Sequence, residues 1–531
     1  MLTLRFLPVW WSISCLVAGS PLLAHSSTTR QRVHPVLVRN AHNALLRVAV
    51  EVADGSPDAD VTSFEISLDG TDDLKDIDAM QLFHCDTPES LSTASRFGKP
   101  HKARRSVVFE GSRSLPAGRH HFWLSVRLHR DADLLHRVDA SCARITFADG
   151  ETTKPRDTTP GLRKRVGVAL RRHGDDGVHT HRIPALTRTP KGTLLCVYDL
   201  RRRRSRDLQG DIDIGLSRST DGGRTWETPR VIMDMREWGG LPQEQNGCSD
   251  PGIIVDRSTG EIFCSAVWMW GKPGKHQWNG DGSEPGFEIG KSAQFLTVRS
   301  RDDGITWSKP VNHTRDYKRE EWWLFAPSPN AGITLRDGTL VQPGEGRDKD
   351  GTPFSTILVS RDHGATWTVS APAFTGSSEC QAVELTDGTL MLNMRNERKR
   401  SKFLRCVRVT KDLGKTWSDH VTHQRALPEP NCNASLFRAT YGADGETRSV
   451  LLFANPHAKD GRHHHTLQVS FDDGTTWPST HRLLLDEGRG RGYPSITQID
   501  EKHVGIVYEG SQADLVFEKI AIETLVTPGS R

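Results

Sequence analysis

The sequence predicts an all-β chain, a six-bladed β-propeller preceded by a β-sandwich, and three observations carry that expectation. The first is an octapeptide that recurs five times: Ser219-Thr-Asp-Gly-Gly-Arg-Thr-Trp226, Ser300-Arg-Asp-Asp-Gly-Ile-Thr-Trp307, Ser360-Arg-Asp-His-Gly-Ala-Thr-Trp367, Thr410-Lys-Asp-Leu-Gly-Lys-Thr-Trp417 and Ser470-Phe-Asp-Asp-Gly-Thr-Thr-Trp477. The second is its spacing, with starts 81, 60, 50 and 60 residues apart, the length of one blade of four short strands. The third is a set of short β-rich runs between Gly/Asp turns, such as Leu194–Tyr198, Ile212–Leu216, Leu296–Val298 and Val504–Tyr508, with no long amphipathic helix among them.

Each part of the repeat has a structural reason. The Asp can accept backbone N–H groups in a tight turn, the Gly takes a positive φ, and the Trp ring packs between blades. A motif at equivalent positions in successive blades staples hairpins, whereas an active site needs dissimilar residues converging once. Six blades over 161–531 average about 62 residues each. Residues 30–148 lack the repeat and alternate apolar with polar side chains at 45–50, 64–68 and 121–126, which predicts an antiparallel sandwich. The stretch 152–164 is rich in Thr, Pro and charge and is the expected boundary, dividing a sandwich at 25–155 from a propeller at 156–531.

Residues 1–24 are expected to be an export signal: Arg5 precedes an uncharged stretch ending Pro21-Leu-Leu-Ala24. An uncleaved anchor is the alternative, disfavoured by Pro8 and Pro21. No later segment has about 18 uncharged apolar residues, so the mature chain is expected to be soluble and secreted or periplasmic, without stable membrane insertion. Eight cysteines remain after removal of the signal, an even number that permits disulfides but shows no metal-ligand spacing.

Length and composition narrow the partners. The chain has 531 residues, 70 Lys+Arg against 66 Asp+Glu, and 35% hydrophobic residues, so it has room for a sizeable core and no surface field that favours nucleic acid. The 14 Trp and 5 Tyr invert the usual ratio, five of the Trp belong to the repeat, and each Tyr is worth locating. Neither His463-His-His465 nor His179 with His181 is accompanied by a matching carboxylate or cysteine, and Asn279-Gly-Asp-Gly-Ser283 is too short for a calcium loop. No metal or cofactor is therefore expected.

The repeats are Asp boxes, and His181-Arg-Ile-Pro-Ala-Leu186 stands upstream of the first. In this combination residues 165–531 resemble the bacterial exo-α-sialidases, or neuraminidases, of glycoside hydrolase family 33, whose BNR repeats build a six-bladed propeller. Residues 30–148 resemble the accessory sandwich often placed before it. The resemblance implies a monomeric enzyme that releases terminal sialic acid from glycoproteins, glycolipids and oligosaccharides, retaining configuration through a covalent tyrosyl intermediate.

The resemblance also implies site residues. Arg182 in Arg-Ile-Pro, Arg395 at the end of 378–395 and Arg462 in 455–462 match the three arginines that grip the substrate carboxylate, a group arginine binds bidentately. Tyr493 in Gly-Tyr-Pro matches the nucleophile; a phenol avoids the like-charge repulsion that a carboxylate would meet. Glu379, 16 residues before Arg395, matches the base for that phenol, and Glu509, 16 after Tyr493, matches the acid that orients Arg182. Asp207, 25 residues beyond Arg182, matches the acid/base for the leaving group, with Asp211 and Asp213 nearby as alternatives that read as turn or strand residues. Arg201 and Asp250 match pocket residues near the sugar, Asp250 on its amide side. One departure is His181, where an aromatic ring is more usual. Alternatives that keep the same scaffold are a trans-sialidase, a glycosidase for deaminated sialic acid, and a non-catalytic glycan-binding propeller.

Overall fold

The computed structural model describes residues 25–269, 283–397, 403–443 and 445–528. The expected export signal at 1–24 and the Asn279-Gly-Asp-Gly part of the expected turn lie outside the described residues. Nearly all the regular secondary structure described is β-strand, arranged as two sandwich sheets and six propeller sheets.

In the sandwich, one sheet orders Arg156–Asp157, His25–Arg30, Asn43–Val52, Gly118–Leu128, Ile77–Cys85 and Ser95–His101; the other orders Thr152–Thr153, Ser141–Phe147, Ala59–Ser67 and Ser106–Leu115. Alternation decides which side chains enter the core: Phe64 and Ile66 are buried while Glu65 and Ser67 between and after them are not. Phe109, Phe122 and Leu124 complete the contact between sheets.

The blades follow in chain order. Blade I consists of Thr180–Arg188, Leu194–Arg201, Ile212–Ser219 and Arg230–Met233, running outward from the axis. Blade II begins with Cys248–Val255, Ile262–Trp268 and Gln294–Ser300; blade III centres on Leu340–Arg347 and Pro353–Ser360. Blade IV opens with Ser377–Glu384, Leu390–Asn396 and Cys406–Thr410, and blade V with Ser435–Ala443, Glu446–Pro456 and His465–Ser470. Blade VI joins the ends of the ring: Pro494–Gln498, His503–Tyr508 and Leu515–Ala521 pair onward to Lys164–Arg171, which precedes blade I. Tyr198 and Tyr508 pack in these strands, with their hydroxyls bonded to Ser217 and Glu518.

Two short strands blur the expected domain boundary. Arg156–Asp157, on the propeller side of it, pairs in parallel with His25–Arg30 of the sandwich. Val36–Val38, from the sandwich segment, pairs in parallel with Lys164–Arg171 and extends blade VI. The junction is further tied by the Glu487 N–H, which donates to Val33 O at 2.8 Å, and by Lys164 Nζ, 2.7 Å from Ala44 O and 2.9 Å from His34 Nε2.

The Asp boxes do what their residues require. In the second one, Ser300 Oγ accepts from Gly304 N at 3.0 Å and donates to Asp302 Oδ1 at 2.9 Å, while Asp302 accepts from Thr306 N at 2.8 Å. Gly304 has φ +77° and its carbonyl accepts from Trp307 Nε1 at 3.2 Å. The Trp rings are half-buried, Trp226 edge-on to Phe517 with centroids 5.2 Å apart. Each box follows the third strand of a blade, on the face opposite the ends of the second strands.

The cysteines at 85, 142, 196, 248, 264, 380, 406 and 432 are all buried free thiols. The histidines considered for metal have structural partners: the His181 N–H donates to Asp514 at 2.9 Å, His463 Nε2 lies 3.0 Å from Asp460, and His465 packs on Tyr508. Among the described residues, no helix is long and apolar enough to cross a membrane.

Candidate active site

All nine residues expected at the site lie around one mouth of the propeller axis. They come from two repeated places: the starts of inner strands and the ends of second strands or the loops beyond them. Three inner strands carry a register shift where a functional side chain leaves the sheet, between Arg182 and Ala185, Ser249 and Gly252, and Ser377 and Cys380. These irregularities re-aim Arg182, Asp250 and Glu379 toward the axis. Ile183 and Asp250 both have φ +58°, and each is followed by a proline, which removes an N–H where the ladder is interrupted.

Glu509 organises one side. Its carboxylate accepts from Arg182 Nε at 2.6 Å, Arg182 Nη2 at 3.3 Å, Ile183 N at 2.8 Å and Tyr493 N at 3.2 Å. Arg182 is buried, which disfavours its charge, but the Glu509 carboxylate outweighs this and holds the guanidinium firmly cationic.

Tyr493 sits at the centre. Its hydroxyl donates to Glu379 Oε1, and Arg395 Nη1 lies 3.2 Å from the same phenolic oxygen and 2.7 Å from Glu379 Oε2. The guanidinium carbons of Arg182 and Arg462 stand 5.4 and 5.5 Å from the centroid of the Tyr493 ring. Burial and the Glu379 charge push the phenol well above its usual range, with Arg395 and Arg462 pulling against them. Arg395 is anchored by Asn431 Oδ1 at 2.5 Å and Glu397 at 2.9 Å; Arg462 reaches the Arg491 and Asn431 carbonyls at 2.9 and 3.0 Å.

Asp207 stands at the rim with its side chain 39% exposed, 2.5 Å from Arg201 Nη1 and 3.8 Å from Arg182 Nη1. Arg201 itself is only 1% exposed and is committed to Asp199 at 2.9 Å, the Ser205 carbonyl and Asp207. It thereby fixes the position of Asp207 at the mouth. Asp213 lies inside the strand Ile212–Ser219, gripped by Arg202 at 2.6 Å, with burial pushing its carboxyl up to about 6; Asp211 accepts from Gln243. Asp211 lies in the loop before that strand, and both carboxylates are held by neighbouring side chains.

Asp250 is buried beside Asp199, whose Oδ1 accepts its backbone N–H at 3.2 Å. Burial, then the charges of Asp199, Glu379 and Asp207, push the Asp250 carboxyl well above the carboxylate range. Two residues at the site escaped the sequence reading. Asp199 is fully buried and accepts from Ser249 Oγ at 2.7 Å as well as from Arg201. Glu345 is 7% exposed on the second strand of blade III. A signal for Glu345 was present: it stands 15 residues before its Asp box, as Arg395 does before its own.

The chain as a whole has known relatives. Residues 176–507 match the BNR repeat-like domain, and residues 24–151 match the N-terminal domain of BNR-repeat neuraminidase. A sialidase of Bacteroides fragilis (strain YCH46) is 35% identical over 98% of this chain and 99% of its own. A sialidase of Micromonospora viridifaciens is 35% identical over 64% of this chain and 51% of its own. Among solved structures, Hadza microbial sialidase Hz136 superposes with a TM-score of 0.86 at 35% identity, covering 94% of this chain and 100% of that one. An intramolecular trans-sialidase from Ruminococcus gnavus, at 18% identity and a TM-score of 0.54, shares the fold.

A propeller with this mouth, 35% identical to two sialidases over nearly its whole length, is a glycoside hydrolase. More narrowly, the chain belongs to the BNR-repeat neuraminidases, the exo-α-sialidases.

Proposed function

We propose that this sialidase hydrolyses terminal α-sialosides with retention, through a covalent bond between Tyr493 and the anomeric carbon. The observation that carries the proposal is the hydrogen bond from Tyr493 to Glu379 inside a cage of three arginines. Arg182, Arg395 and Arg462 pair with the substrate carboxylate, which sits on the same carbon that reacts. That carbon lies over the Tyr493 oxygen, which attacks while its proton passes to Glu379. Asp207 protonates the departing glycosidic oxygen, and the aglycone leaves toward the open rim where Asp207 is exposed. The same carboxylate then takes a proton from water, which displaces the tyrosine and completes a double inversion. No cofactor is needed for these steps. We further infer that the protein is exported after removal of 1–24 and acts as a monomer on glycoproteins, glycolipids and free oligosaccharides.

The stereochemistry tests this. Proton NMR of a rapid digest of an aryl α-sialoside should show α-sialic acid first, followed by mutarotation to the β form. Initial β-sialic acid would mean single inversion and no tyrosyl intermediate.

A further inference from the structure

The run Arg201-Arg-Arg-Arg-Ser-Arg206 leads directly into the acid Asp207, and the fold treats its arginines in two ways. Arg201 and Arg202 turn inward: Arg201 lies 2.9 Å from Asp199 and 2.5 Å from Asp207, and Arg202 lies 2.6 Å from Asp213. Arg203, Arg204 and Arg206 are exposed and line a cavity of about 250 Å³ on blade I. Their charge is poorly compensated. Arg203, with its side chain 64% exposed, stands 3.9 Å from Asp211 and 3.7 Å from Glu244, longer than a hydrogen bond. Asp211 already accepts from Gln243 at 3.1 Å. Arg204 donates to the Gln209 carbonyl at 2.9 Å, and among the described residues neither Arg204 nor Arg206 is within ion-pair distance of a carboxylate.

The position of the cavity indicates its ligand. The carboxylate of the reacting sugar is assigned to Arg182, Arg395 and Arg462, inside the mouth. Arg206 is instead the chain neighbour of Asp207, so its Cα stands about 3.8 Å from that of the acid, and Arg203 is four residues back, within about 14 Å. Asp207 meets the glycosidic oxygen from the open rim, where its side chain is 39% exposed. A group reaching these arginines therefore belongs to the aglycone, beyond the bond that breaks. Guanidinium groups pair bidentately with carboxylate and sulfate, whereas neutral sugar hydroxyls would leave the charges uncompensated. Five arginines within six positions, in a chain with 70 Lys+Arg against 66 Asp+Glu, are a local concentration of charge and not a general field.

Resting on the proposed reaction, we propose that Arg203, Arg204 and Arg206 bind an acidic group on the aglycone, so that the enzyme favours sialosides whose next sugar carries a carboxylate or a sulfate ester. The two anions share the chemistry that the cavity reads, a delocalised oxyanion accepting from guanidinium N–H groups. Because the arginines are exposed, each pair contributes modestly and is screened by salt.

The test measures kcat/KM for wild type and for the triple variant Arg203→Gln, Arg204→Gln, Arg206→Gln on two substrate pairs. One pair is sialyl-N-acetyllactosamine with and without a sulfate ester on the glucosamine. The other is an oligosaccharide ending in two linked sialic acids and its monosialyl counterpart. In at least one pair the ratio of acidic to neutral member should be about fivefold higher in wild type than in the triple variant, the value of one exposed ion pair. That difference should shrink in about 1 M NaCl, where charges are screened beyond about 3 Å. An effect confined to the first pair identifies the anion as sulfate, and one confined to the second as carboxylate. Equal ratios in the two proteins for both pairs, or a difference that salt leaves intact, would overturn the proposal. Failure of wild type to release sialic acid from any of the four would instead sink the hydrolase assignment. The cavity would then be judged by calorimetry with the same glycans, where the triple variant must bind the acidic members more weakly than wild type if the proposal holds, and equal binding overturns it.

Discussion

The hydroxyl of Tyr493 donates to Glu379 Oε1 across the propeller axis, joining two residues 114 positions apart in the chain. The phenol is buried and hydrogen-bonded to an acid, so its proton has one acceptor at hand when the oxygen attacks. Tyr493→Phe should lower kcat on an aryl α-sialoside by about a thousandfold or more, and Glu379→Gln, which keeps the shape but not the basicity, by about 10²–10⁴. KM should move little in either, since both groups act on the transition state. Steady-state kinetics on the two variants decides this.

Asp207 is expected to matter in proportion to how poor the leaving group is. Asp207→Ala should lose about 10²–10⁴ in kcat on a sialyl-oligosaccharide and far less on an aryl sialoside, whose phenolate departs without a proton. Comparing the two substrates on one variant reads the effect directly; equal losses would remove Asp207 from the acid role.

Glu509 pairs with a guanidinium that is itself buried, the two side chains being 1% and 7% exposed. Glu509→Ala leaves Arg182 charged without its counter-ion, and breaking such a pair costs about 3–5 kcal/mol. A lower Tm, read by differential scanning calorimetry, should accompany a raised KM. An unchanged Tm would show that Arg182 finds another partner.

Lys164 gives the sandwich–propeller junction a pH dependence. Burial lowers its ammonium from 10.5 to about 7. Below pH 7 both folded and unfolded chains carry the proton and the full burial penalty applies. Between about 7 and 10.5 the unfolded chain binds the proton that the folded chain has lost, so this site adds stability as pH rises. Lys164→Met should therefore flatten the rise of Tm over that window relative to wild type.

The Asp boxes made the blades legible because each box is a local device: donor, acceptor, Gly and Trp lie within eight positions and need no distant partner. The sandwich was legible through two-residue alternation in strands as long as Asn43–Val52 and Gly118–Leu128. Alternation has nothing to act on in Val36–Val38 or Arg156–Asp157, three and two residues long, and these are the strands that blur the domain boundary. At the site, Arg182 and Tyr493 stand in short distinctive motifs. The run Arg201–Arg204 looked uniform in sequence, yet the fold divides it: Arg201 is sealed against Asp199, Arg202 binds Asp213, and Arg203 keeps a side chain 64% exposed. Glu345 and Asp199 draw their character from burial and from neighbours on other strands, which no short window of sequence contains.

Retention of configuration depends on Tyr493 becoming covalently attached to the sugar. The most direct measurement is peptide mass spectrometry after incubating the protein with 2,3-difluorosialic acid, from which C2 fluoride leaves as the tyrosine attacks, while the C3 fluorine slows hydrolysis of the resulting glycosyl-enzyme. One added 3-fluorosialosyl mass is expected on the peptide containing Tyr493, and none in Tyr493→Phe. An adduct on Glu379, Asp207 or any other residue, or a wild type that turns over natural sialosides yet never carries the label, would contradict it.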